Sequence, residues 1–109
     1  MFRKTDPHTS AQAAAKAITN ASKGRVLALE ALTERPMNDF ELAAHTGWQQ
    51  TSIGKRRLEC QRAGWVEPLL DDEGDQIMRK SPSNTNSLVW QISAKGRSML
   101  PILIEDLKT

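Results

Sequence analysis

Cysteine is nearly absent from this chain, and the single one, Cys60, excludes an internal disulfide and any zinc cage built on thiolates. His8 and His45 stand apart, with no second histidine or cysteine at a ligand spacing, so no metal is expected. There is no tyrosine and only two phenylalanines, too few aromatics for a base-stacking platform. Trp48, Trp65 and Trp90 fall one to each predicted element and are expected in the core. Long apolar runs are missing. Met99 to Ile104 is far too short for a membrane span and is interrupted by Pro101, and the polar start Met1 to Asp6 lacks the apolar stretch of a signal peptide. These absences, with the lone thiol, describe a soluble, cytoplasmic chain. No glycine-rich phosphate loop, nucleophile elbow or carboxylate pair is present, so no catalytic residues, no cofactor and no enzyme activity are expected.

What remains is a 109-residue chain of ordinary composition, 39% hydrophobic and 26% charged, enough for one domain with a modest core. Its net charge is only +2, so any nucleic-acid binding must come from local clustering rather than a global field.

Such clustering occurs between Gly47 and Gly64, glycines placed to end successive helices. Gln49 or Thr51 can cap a helix of roughly 12–14 residues between them. That helix carries Lys55, Arg56, Arg57 and Arg62 against one acid, Glu59. Before it, Asn38 and Glu41 have the spacing of a capping box at the start of a short helix, Asp39 to His45. Helix, tight glycine turn, basic helix is the sequence shape of a helix-turn-helix.

On a helical wheel, Ile53, Cys60 and the stem of Arg57 share one side, and Arg57 is expected to pair internally or to stretch its stem over the core rather than to read DNA. Thr51, Lys55, Glu59 and Arg62 lie opposite, with Ser52 on the flank, and Leu58 sits unexpectedly among these polar positions as an edge or interface residue. Gly54 implies close backbone approach, either to DNA or to another helix.

Elsewhere, residues 1–8 read as a flexible lead. Thr9 or Ser10 caps an alanine-rich helix within 9–22, the Asn20-Ala-Ser-Lys-Gly24 stretch interrupts it, and a second helix runs from Arg25 to Thr33 until Pro36. After Gly64, Trp65 to Leu69 and Ile77 to Lys80 read as short strands, and Leu88 to Ile92 as the clearest strand. Asp71 to Asp75 is an acidic turn without the ligand pattern of a calcium loop, and Ser81 to Asn86 a polar one. Ser93 caps a last helix, Ala94 to Leu100. Pro101 then opens a tail or interface segment, 101–109, whose Ile102, Leu103, Ile104 and Leu107 are apolar.

This order resembles a winged helix: a mainly α chain with a small antiparallel β-hairpin (α+β) and an extra N-terminal helix. The resemblance spans about residues 24–100, with the helix-turn-helix at 39–63 and the wing at 65–92. It is carried by "Cys60-Gln-Arg-Ala-Gly-Trp-Val66", by "Leu88-Val-Trp-Gln-Ile92", and by the following "Ser93-Ala-Lys-Gly-Arg97". The opening "Asp6-Pro-His-Thr-Ser-Ala-Gln-Ala-Ala14" is similar to the start of small winged-helix proteins encoded by phages and prophages. Cys60 departs from the family by replacing a larger aliphatic, and the acidic turn is unlike a wing that follows phosphates.

The resemblance implies sequence-specific binding of double-stranded DNA by a small phage-type transcriptional regulator. Gln49, Gln50, Thr51, Ser52, Lys55, Arg56 and Arg62 of helix 49–63 would serve the major groove, and Arg79 and Lys80, at the 79–86 wing tip, the backbone. A homodimer and a protein partner are further candidate partners. The alternative is a winged-helix protein-interaction module without DNA binding, favoured by the near-neutral charge and the acidic turn.

Overall fold

The computed structural model describes the backbone of residues 7–108 and the side chains of 21–108. Its elements are α1 (Pro7–Glu34), α2 (Asp39–Thr46), α3 (Gln50–Arg62), β1 (Val66–Pro68), β2 (Met78–Lys80), β3 (Asn86–Leu88), β4 (Trp90–Ile92) and α4 (Ala94–Lys108). This is a mainly helical winged helix with small antiparallel hairpins.

Two expected helix boundaries disappear. The Asn20–Gly24 stretch does not interrupt the first helix, which runs unbroken through Arg25. A glycine in mid-helix costs about 1 kcal/mol in propensity, but Gly24 is where α1 meets α3. A Cβ there would lie 2.6 Å from Arg56 Cγ and 2.8 Å from the Trp48 ring. Packing gained by that approach outweighs the local preference. Likewise Pro101 does not end α4 but lies inside it. Its missing N–H and ring clash oppose the helix by about 3 kcal/mol. Leu100 and Leu103 on either side pack against the core and hold the helix together. The proposed cap at Thr9 or Ser10, and the alanine face through Ile18, fall outside the described side chains.

The core is Leu29, Leu32, Met37, Leu42, Ile53, Cys60, Val66, Trp90 and Ile92, with Ala28 and Ala31 letting α1 come close. Trp48 and Trp65 pack against it from its edge, so all three tryptophans serve packing. On α2, Leu42 is fully buried while Phe40 and Ala43 are half-buried. Each fully buried Leu or Ile contributes about 1.5–3 kcal/mol, which is what holds a helix as short as α2 in place.

The expected wing divides in two. β1 pairs with β4, and β2 with β3, both antiparallel. Single bridges join Leu70 to Gln76 and Met37 to Trp90. Leu69, Ile77 and Val89 close a ring of backbone hydrogen bonds: Leu69 donates to Val89 (2.8 Å), Val89 to Ile77 (3.0 Å) and Ile77 to Leu69 (2.9 Å). Three antiparallel ladders therefore radiate from one junction. One returns to the domain through β1 and β4. Another ends in the acidic turn, and the third in the Ser81–Thr85 turn. Val89 at the centre is fully buried.

Candidate nucleic-acid interface

α2 begins as its sequence demands. The Asn38 side chain accepts from Glu41 N–H, and Glu41 Oε1 accepts from Asn38 N–H, both at 2.8 Å. It ends at Gly47, whose φ of 78° is the left-handed cap that glycine adopts without strain. α3 starts at Gln49, which has extended backbone but no side-chain capping bond.

Four cations lie on α3, and the structure separates them by face. Arg57 grips Asp39 at the start of α2 through two bonds, Nε to Oδ1 at 2.9 Å and Nη2 to Oδ2 at 2.7 Å. It also donates to Gln61 Oε1 at 2.7 Å and lies 4.3 Å over the Trp90 ring. Arg57 is thus structural, as its wheel position predicted. Arg56, a candidate DNA contact, points to α1 instead. Its side chain is 16% exposed and pairs with Glu59 at 3.2 Å, while Arg25 of α1 holds the other Glu59 oxygen at 3.0 Å. Glu59, expected on the outward side, is tied to α1 through Arg25, with Arg56 of its own helix on the other oxygen.

Gly54 is resolved in favour of a helix neighbour, since a Cβ there would meet Asp39 Oδ2 at 3.2 Å. What stays outward is Gln49, Thr51, Ser52, Lys55 and Arg62, all exposed, with Gln50 and Leu58 half-buried. Among the described residues, Lys55 and Arg62 take part in no salt bridge. Thr51, Lys55, Leu58 and Arg62 fall within roughly 60° of arc at 3.6 residues per turn.

The wing residues also separate. Arg79 is not free at a tip: its Nη1 donates to Glu41 Oε2 at 2.6 Å and its Nη2 to the Pro36 carbonyl at 3.3 Å. Glu41 thereby serves the α2 cap with one oxygen and the wing with the other. Lys80 is exposed. The turn beyond it is organised by hydroxyls, with Ser81 Oγ 2.8 Å from Thr85 Oγ1 and 2.9 Å from Ser83 Oγ.

In the acidic turn, Asp71 accepts from the backbone N–H of Glu73 and Asp75, each at 2.9 Å, which explains its shape without a bound ion. No group of three or more acidic, His or Cys side chains fit to hold a metal occurs among the described residues. Among them, too, no helix is long and apolar enough to cross a membrane. Cys60 is fully buried, and that burial pushes its thiol from 9.0 up to about 12 despite nearby Arg25.

Sequence reasoning missed two features of this surface. Lys95, exposed at the start of α4, lies with its Cδ 3.5 Å from where a Gly64 side chain would begin, next to the end of α3. The Glu41–Arg79 latch joins positions far apart in the chain, and no local pattern signals it.

A helix-turn-helix backed by α1 and flanked by a β-wing defines a winged-helix protein. Within that class the fold is MarR-like. The MarR-family transcriptional regulator from Silicibacter pomeroyi superposes with a TM-score of 0.57 at 17% identity, over 84% of this chain and 56% of that one. BldR, a transcriptional regulator from Sulfolobus solfataricus, gives 0.60 at 19%, over 93% of this chain and 73% of that one. The PcaV regulator from Streptomyces coelicolor, solved with its natural ligand, gives 0.55 at 16%, over 95% and 76%. No family model matches the chain, and no curated protein matches it. At these identities the likeness is one of fold.

Proposed function

We propose that this chain is a transcriptional regulator that binds double-stranded DNA by placing α3 in the major groove. The observation that carries the reading is the division of charge on α3. Arg56, Arg57 and Glu59 are consumed in fixing the helix to α1 and α2, while Lys55 and Arg62 are left exposed and outside any ion pair among the described residues. A rigidly held helix with uncommitted cations along its outer stripe is what phosphate contact and groove reading require. The regulators with similar folds support it.

In this reading Thr51, Ser52 and Lys55 face base edges, with Gln49 and Gln50 beside them, and Arg62 and Lys80 meet phosphates. Arg56 positions the helix rather than touching DNA. A phage or prophage origin rests on the Asp6–Ala14 phrase alone. A second copy of the chain is the proposed protein partner, because Ile102 on α4 is a large apolar side chain 53% exposed.

The test is a gel shift on random duplex DNA across a salt series. The wild type should bind with steep salt dependence, and Lys55→Ala with Arg62→Ala should lower the slope by about two contacts. An unchanged slope in the folded double variant would remove α3 as the reader. The exposed acidic Asp71–Asp75 turn supports a second reading, a protein-interaction module. Failure to bind any duplex at low salt would favour it.

A further inference from the structure

We propose that Leu58 is a base-reading residue that packs against the C5-methyl group of a thymine in the major groove; this rests on the DNA-binding reading above. Three observations converge on it. Leu58 is half-buried and stands outside the hydrophobic cluster that takes up Ile53 and Cys60 on the opposite side of α3. It belongs instead to the outward stripe of Thr51, Lys55 and Arg62, whose cations make that surface complementary to DNA.

Its spacing is also right. One helix that reads the major groove, that of the homeodomain, does so with side chains at i, i+3, i+4 and i+7. From Thr51 these positions are Gly54, Lys55 and Leu58. Gly54 is taken up by the approach to Asp39, at 3.2 Å for an added Cβ. Thr51, Lys55 and Leu58 are then the set that can reach base edges. Thr and Lys supply the polar contacts, and Leu58 adds the one apolar group. The thymine methyl is the apolar feature of the major-groove edge, so an aliphatic side chain there selects thymine by contact and by displacing water.

The experiment begins with selection of binding sites from random duplex DNA by the wild-type protein. Each thymine of the enriched site is then replaced in turn by deoxyuridine, which removes the methyl group and leaves pairing intact. At one thymine or more the wild type should lose about fourfold in affinity, what burying a methyl group is worth. Leu58→Ala should bind the thymine and deoxyuridine duplexes alike, while Leu58→Met should keep the preference.

Three results overturn the proposal. These are that no thymine is methyl-sensitive, that Leu58→Ala loses as much as the wild type, or that the protein binds duplexes with no sequence enriched. Each leaves DNA binding itself standing. A wild type that binds no duplex at all overturns both readings together.

Discussion

Arg57 and Asp39 face each other as a two-pronged ion pair, Nε to Oδ1 and Nη2 to Oδ2, with both side chains about seven-eighths buried at 13% and 14% exposure. The pair ties the middle of α3 to the first residue of α2, where the helix dipole also favours a carboxylate. With Trp90 beneath the guanidinium, it joins α3, α2 and the base of the wing at one point. Asp39→Ala strands a buried cation, so stability should fall by about 3 kcal/mol in urea unfolding. Asp39→Ala with Arg57→Met should recover much of that loss, because the desolvation cost leaves with both charges. A double variant no more stable than Asp39→Ala would show that the cost arises elsewhere.

Gly24 makes a sharper packing test. In an ordinary helix Gly→Ala stabilises by up to about 1 kcal/mol. Here the new methyl group would collide with Arg56 Cγ and the Trp48 ring. Gly24→Ala should therefore lower stability by about 1–3 kcal/mol. An increase in the urea midpoint would mean that α1 and α3 can separate without cost.

If the chain binds DNA as proposed, the wing latch should set part of its affinity. Arg79 is held by Glu41, so a phosphate must compete for it, whereas exposed Lys80 forms no salt bridge among the described residues. Lys80→Ala should weaken binding to all sequences by more than Arg79→Ala does. Glu41→Gln should free Arg79 and steepen the salt dependence by about one contact. Binding titrations at several salt concentrations would measure both, and a larger loss for Arg79→Ala would show that the latch opens on DNA.

Cys60 gives a pH dependence of known sign. Its thiol is raised from 9.0 to about 12 in the folded protein by burial. Below pH 9 the thiol is protonated in both states and the contribution is constant. Between 9 and 12 the unfolded chain loses its proton first, so stability falls as pH rises. Cys60→Ala should show a shallower decline over that window in urea unfolding. Native Cys60 should also resist alkylation until the chain unfolds.

α4 sets an exposed apolar side chain beside one that packs on the core. Leu103 packs on the central cluster, and Ile102 is 53% exposed. Leu103→Asp should lower stability in urea unfolding, since it sets a carboxylate against the apolar core. Ile102→Asp should leave a folded monomer if a second copy covers this face, as sedimentation would show. A wild type that sediments as a monomer at high micromolar concentration would end the proposal of a second copy.

The local grammar of this chain was legible before any tertiary contact was known. The Asn38–Glu41 capping box, the glycine at 47, the basic α3 and the Ser93 cap of α4 are each decided within a few residues, by hydrogen bonds and backbone conformations that need no distant partner. The inward turn of Arg57 followed from helical periodicity alone.

What the tertiary structure decided is where local preference loses to packing. Gly24 and Pro101 read as helix breakers, yet α1 and α4 run through them because their neighbours gain more from the core than the backbone forfeits. The partners of Arg57 and Arg79 were also a long-range matter, whereas the Arg56–Glu59 pair is a local i,i+3 one. Arg56 found Glu59 and α1, and Arg79 found Glu41, while Lys55 and Arg62 found no ion-pair partner among the described residues. The uncommitted charge of α3 is therefore smaller than its composition, because Arg57 pairs with a residue of another helix, and spacing along α3 does not say which helices meet.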